Sequence, residues 1–178
     1  MLTAKQAKPP SKLHCQSEEF MEKIVIVCVD DQREVLDAVV RDLQPLLSFC
    51  TIEECESADE CLDLLDDLDD EGQYIGLVIS DHVMPGKSGV QMLTEIAQNQ
   101  RFNKIKKILL TGLASHQDTI EAINNAGVDN YLEKAWDPAK LLQSAKSLLT
   151  HYVIDAGIDY QSILSELDIE VIYQRTSG

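Results

Sequence analysis

Leu77-Val78-Ile79-Ser80-Asp81-His82-Val83-Met84-Pro85-Gly86 is an apolar run that delivers a carboxylate and then breaks. Its three consecutive aliphatics, bounded by Tyr74-Ile75-Gly76 before and Pro85-Gly86 after, show no polar alternation. That is the pattern of a strand buried on both faces. Asp81 therefore falls at the carboxyl end of a central strand, the edge at which open parallel α/β sheets bind their ligands. A lone Asp in this position is more often a cap or turn former. Its meaning depends on what the other strands bring to the same edge.

Working outward, Ile24-Val25-Ile26-Val27-Cys28-Val29 is a strand rich in β-branched residues, stopped by Asp30-Asp31. Val35, Leu36, Val39, Val40 and Leu43 then recur at helical spacing until Pro45. A weaker strand surrounds Phe49 to Ile52, and Ser57 to Asp59 open a second helix that ends at Gly72. The acidic residues from Asp63 to Glu71 interleave with Leu62, Leu64, Leu65 and Leu68, so they read as that helix's solvated face, not as a cation site. After Asp81, Gly89 to Ala97 predicts a helix and Ile105 to Leu110 a strand, interrupted by Lys106-Lys107 and stopped at Thr111-Gly112. Gln117 to Ala126 predicts another helix, closed by Gly127. Val128 to Leu132 predicts a last strand ending near Glu133-Lys134, and Asp137-Pro138 caps and starts a long final helix. Strands alternating with helices in this way predict right-handed crossovers and a doubly wound parallel sheet, covered by helices on both faces.

Composition bounds what this sheet can do. The chain has 178 residues, 44% of them apolar, enough for one core and little more. Its formal charge of −16 argues against direct nucleic-acid binding, which needs a basic face. The five cysteines, Cys15, Cys28, Cys50, Cys55 and Cys61, form no CxxC pair and have no histidine at metal spacing. Neither a signal peptide nor a membrane-length apolar run is present, so a reducing cytoplasm is the expected compartment. Residues 1–21, with Pro9-Pro10 and Lys5, Lys8 and Lys12, carry no core pattern and are expected to be a flexible leader.

If the strands are parallel, Asp30, Asp31, Asp81, Thr111 and Lys134 emerge on one edge of the sheet. Carboxylates this close repel and raise one another's pKa unless a cation intervenes, so the cluster predicts a hard divalent ion held by oxygen, Mg²⁺ above all. A carboxylate beside such an ion and a lysine is suited to receive a phosphoryl group, because both cations offset charge on the equatorial oxygens. The Thr111 hydroxyl is then a candidate to bind that group.

With those residues assembled, the pattern resembles the receiver domain of two-component response regulators. The resemblance rests on four motifs in order: an acidic pair after the first strand, Asp-x-x-Met-Pro-Gly from Asp81 to Gly86, Thr-Gly at Thr111, and Tyr-Leu-x-Lys from Tyr131 to Lys134. It covers residues 22–150 and implies a flavodoxin-like sheet of order 2-1-3-4-5. It also implies Asp81 as phosphoacceptor, Mg²⁺ on Asp30, Asp31, Asp81 and the backbone carbonyl of Val83, and Lys134 against the phosphoryl group. Thr111 and Tyr131 would form a switch pair in which Thr111 moves toward the phosphoryl and Tyr131 turns inward, changing the surface of the fourth helix, fifth strand and fifth helix. Such a domain is a signalling phosphoacceptor, not an enzyme acting on a separate substrate. The implied partners are a histidine kinase or histidine phosphotransfer protein and a downstream target or output domain, with a homodimer left open.

Two positions depart from the family pattern. Ala135 follows Lys134 where the family usually has a proline, often cis. A non-proline cis bond costs about 2.5–4 kcal/mol, so the Lys134-Ala135 bond is expected either as a strained cis bond or within a rearranged trans loop. Val83 and Leu113, two residues after Asp81 and Thr111, offer no polar group to orient a water, which implies slow phosphoryl loss. His82 is read as incidental, and His14, His116 and His151 have no visible partners. Past position 150, Tyr152 and Val153 continue the final helix to Gly157, and Ile163, Leu164, Leu167, Ile169, Val171 and Ile172 form further apolar stripes. This tail is expected to be a helical extension or linker that packs back, pairs with a second copy or leads into a longer protein, an interaction role being preferred. Other readings fit less well. A flavodoxin-type nucleotide binder would not place Asp30-Asp31 beside a phosphate, and Gln32-Arg33 do not match an aspartyl phosphatase of the dehalogenase type. A phosphorylation-independent binding module and a receiver joined to a larger effector enzyme remain as alternatives.

Overall fold

A computed structural model describes residues 22–112, 120 and 123–177. The leader before position 22, with His14 and Cys15, and the segment carrying Leu113 and His116 lie outside the described residues. Five parallel strands form the sheet: β1 (Ile24–Val29), β2 (Cys50–Cys55), β3 (Ile75–Asp81), β4 (Lys106–Thr111) and β5 (Asn130–Glu133). Their order is β2-β1-β3-β4-β5, the expected flavodoxin-like topology. The chain reverses its winding between β1 and β3, where Val29 pairs with Ser80, so Asp30 and Asp81 leave adjacent strands at the switch point of the sheet.

Helices cover both faces. On one side lie α1 (Arg33–Asp42) and α4 (Pro138–Ala156); on the other lie α2 (Ala58–Asp70) and α3 (Gly89–Gln98). Residues 120 and 123–125 are helical as well, within the helix expected from Gln117 to Ala126. Strand alternation divides the core between the faces. Ile24, Ile26 and Cys28 join Leu36, Val39, Leu141 and Leu149, while Val25, Val27 and Val29 join Leu65, Leu93 and Ile96. All six residues of β1 are consequently buried, which explains why this strand reads as a continuous apolar run. The helix starts are fixed by side chains: Ser57 accepts from Glu60 N, Ser88 and Gln91 form a capping box, and Asp137 accepts from Ala139 N with Pro138 behind it.

Sequence and structure differ at Lys107. Read as an interruption, it lies inside β4 and is buried, its Nζ donating to Ile105 O at 2.8 Å. Burial pushes its pKa down, because an ammonium loses hydration there.

The tail preferred as an interaction segment packs on its own receiver. The helix α4 ends at Gly157, whose φ of 70° suits glycine. The chain then turns back through a 3-10 turn (Gln161–Ile163) into α5 (Ile169–Thr176). Ile163, Leu167 and Val171 are buried, and Ile163 and Leu167 belong to the same core as α1 and α4. Asp168 fastens the turn: its amide donates to Thr150 Oγ1 at 2.9 Å and its carboxylate accepts from Gln143 Nε2 at 2.8 Å. Leu164, Ile169 and Tyr173 stay exposed on the outer side, the spacing of the stripe being wider than the face it covers.

Candidate functional site

Three carboxylates converge at the carboxyl ends of β1 and β3. Asp30 and Asp81 are almost fully buried and Asp31 is exposed, and one oxygen from each lies within 4.8 Å of the others. Sheet register causes the convergence. Val29 and Ser80 are partners, so the residues that follow them emerge side by side. Lys134, just past β5, reaches across: its Nζ lies 3.1 Å from Asp81 Oδ1 and 3.2 Å from Asp30 Oδ2. The remaining Asp30 oxygen, Oδ1, accepts from Gln32 N at 2.9 Å, an Asx-type turn that starts the approach to α1.

The electrostatics of the site favour a cation. Burial pushes the Asp30 carboxyl above its ordinary value, and the charge of Asp81 adds to the rise against the lowering effects of the Gln32 amide and Lys134. Asp30 Oδ2 is buried and accepts no hydrogen bond of good geometry, its contact with Lys134 being an ion pair only. Partial burial works against the Lys134 ammonium, yet the hydrogen bond and charge of Asp81, followed by the charge of Asp30, hold its pKa above the ordinary value. One ammonium thus pairs with two of the three clustered carboxylates. An all-oxygen donor set with a buried oxygen that accepts no hydrogen bond fits a hard divalent ion.

The other expected positions fall around this cluster. Thr111 is fully buried at the end of β4, and its carbonyl accepts from Lys134 N at 3.0 Å, tying the lysine's backbone to β4. Tyr131 is 44% exposed on β5. Val83 is exposed in the loop after β3. His82 is half-buried, and its Nδ1 is buried without a hydrogen-bond partner. The Lys134-Ala135 bond is trans, and Ala135 takes a φ of 66°, so the loop is rearranged and carries a left-handed alanine. Trp136 follows, its Nε1 donating to Asp42 Oδ2 at 2.9 Å and pinning this loop to α1.

Two residues beside Asp81 escaped the sequence reading. Ser80 is fully buried and donates to Asp81 O at 2.8 Å. Gly89, the first residue of α3, sits so close that an added Cβ would lie 1.9 Å from that same carbonyl oxygen. A glycine at the start of a helix already capped by Ser88 was the available signal, since glycine is otherwise disfavoured there unless backbones approach closely.

Comparison with known proteins agrees with this geometry. A family model described as the response regulator receiver domain matches residues 26–146. The chain is 27% identical over 152 residues to the hydrogenase transcriptional regulatory protein HoxA of Cupriavidus necator, covering 85% of this chain and 30% of that protein. It is 30% identical over 128 residues to response regulator Rre1 of Synechocystis, covering 72% of this chain and 52% of that one. The chain spans 27–54% of the length of these and two similar curated relatives. Among solved structures, the signal receiver domain of an HD domain-containing protein from Pseudomonas fluorescens aligns with a TM-score of 0.63 at 30% identity, covering 73% of this chain and 97% of that one. No helix among the described residues is long and apolar enough to cross a membrane. From its topology, its acidic site and the match over residues 26–146, the chain belongs to the response regulator receiver domain family.

Proposed function

We propose that Asp81 accepts a phosphoryl group from a phosphohistidine donor, a histidine kinase or histidine phosphotransfer protein, in a Mg²⁺-dependent step. The observation that carries the reading is the convergence of buried Asp30 and Asp81 on Lys134, 3.2 and 3.1 Å away. An Asp81 carboxylate oxygen attacks phosphorus in line; the P–O bond of an acyl phosphate forms as the donor's P–N bond breaks and the imidazole departs. Lys134 holds the Asp81 carboxylate before transfer and then turns its protons to the phosphoryl oxygens. Asp30, Asp31, Asp81 and the Val83 carbonyl would hold the metal, which when bound supplies positive charge to the equatorial oxygens. Thr111 takes one of those oxygens through its hydroxyl, and Tyr131 moves from its exposed position into the space released. Output is carried by a protein partner or an attached effector domain, in the cytoplasm.

The test is incubation of the purified chain with acetyl phosphate, with and without Mg²⁺, followed by intact-mass measurement. Gain of one phosphoryl group that requires Mg²⁺ and disappears in Asp81→Asn supports the reading. No gain, or a gain that survives Asp81→Asn, overturns it; no gain at all favours a phosphorylation-independent binding module.

A further inference from the structure

We infer that Ser80 is a positioning residue for Asp81, acting with Gly89 to fix the backbone of the nucleophile; this rests on Asp81 being the phosphoacceptor. The argument begins with the end of β3. The ladder to β4 closes with His82 N donating to Leu110 O at 2.9 Å, and Asp81 O faces the first turn of α3. A buried carbonyl left without a donor costs about 1–3 kcal/mol. The Ser80 hydroxyl supplies that donor at 2.8 Å, from a side chain with no exposed surface.

Gly89 closes the other side. A Cβ there would meet Asp81 O at 1.9 Å, Ser80 Oγ at 2.8 Å and Asp81 C at 2.9 Å, so the α3 backbone rests directly on the Asp81 peptide. Gly89 N also donates to His82 O at 3.0 Å, which closes the loop that contains Val83. The Asp81 peptide is thus gripped by Ser80 and Gly89, while its carboxylate is held by Lys134 at 3.1 Å. In-line attack depends on the carboxylate's position to within a fraction of an ångström, and a misplacement of 1 Å costs on the order of 100-fold in rate. The serine hydroxyl therefore acts on the reaction through the backbone of Asp81, without touching the phosphoryl group.

The experiment is phosphorylation of the full chain by acetyl phosphate at saturating Mg²⁺, followed by intact mass, with Ser80→Ala, Ser80→Cys and Thr150→Ala compared. Ser80→Ala is expected to lower the maximal rate about tenfold, while separate titrations of Mg²⁺ and acetyl phosphate show little change in their apparent affinities. Ser80→Cys, which keeps a weaker donor, is expected to fall between Ser80→Ala and wild type. Thr150→Ala removes an equally buried hydroxyl from α4 and is expected to stay within about twofold of wild type, as a change acting on stability alone does. If Ser80→Ala does not fold, the cysteine variant reads the same quantity. A wild-type rate in whichever Ser80 variant folds, or an equal loss in Thr150→Ala, overturns the positioning role alone. Absence of any phosphorylation in the wild type overturns the phosphoacceptor reading and this inference with it.

Discussion

Lys134 Nζ stands 3.1 Å from Asp81 Oδ1, close enough to hold the carboxylate in place and close enough to compete with a metal for it. Replacing Lys134 with Met leaves Asp30 and Asp81 facing each other without a counter-charge. The metal-free chain is expected to lose about 1–3 kcal/mol in chemical denaturation, as when one partner of a buried charge contact is deleted. Because the Lys134 pKa is raised in the folded state, its contribution is fully present below the ordinary lysine value and is lost as pH climbs through the raised one. The difference between wild type and Lys134→Met therefore shrinks only in strongly alkaline solution.

Asp30 predicts the opposite sign. Its carboxyl is raised by burial and by Asp81, so folding costs the ionised form free energy. Asp30→Asn should make the metal-free chain about 1 kcal/mol more stable near neutral pH. That penalty is present above the raised pKa and fades as pH falls through it, so the gap between variant and wild type narrows on acidification. Mg²⁺ should stabilise wild type and leave Asp30→Asn unchanged, which reverses the ranking; thermal melts with and without the ion read this directly.

Ala135 holds a φ of 66°, a conformation that costs an alanine about 1–2 kcal/mol and a glycine little. Ala135→Gly is expected to raise stability by about 0.5–1 kcal/mol, part of the relief being offset by the greater entropy of glycine in the unfolded chain. An unchanged or lower denaturation midpoint would show that the left-handed geometry carries no strain.

Under the proposed function, Val83, exposed in the loop after β3, would bear on the lifetime of the phosphoryl group. A polar side chain at this position can hold an attacking water where valine cannot. Val83→Asn should therefore shorten the phosphorylated state about 10-fold, less than the roughly 100- to 10,000-fold of a general acid or base, because the amide only orients the water. Decay of the mass-shifted species at the wild-type rate would rule this out.

The sequence disclosed those features whose cause is local or repeats along the chain. Continuous apolar strands announced a sheet covered on both faces, and acidic residues at strand ends announced the edge where Asp30, Asp31 and Asp81 meet. Lys107 was misread because its burial depends on a backbone acceptor, Ile105 O, that no periodicity reveals. Of the options left open for the tail, the structure shows the packing back, and its fastening was not legible because Asp168 bonds to Thr150 and Gln143 eighteen and twenty-five residues away. Ser80 was silent and the signal of Gly89 was easily passed over, because their meaning lies in one carbonyl oxygen, approached from two elements at once. The Lys134-Ala135 bond, for which sequence left two geometries open, resolved as trans with the distortion moved to the alanine.

The central claim is best tested by locating the phosphoryl group. After reaction with acetyl phosphate and Mg²⁺, borohydride reduces an aspartyl acyl phosphate to homoserine, and tandem mass spectrometry of the peptides identifies the residue. The account predicts homoserine at position 81, dependent on Mg²⁺ and lost when Asp30 is replaced by Asn. Homoserine at position 31, or no reduced residue in a chain that has gained phosphoryl mass, would contradict it.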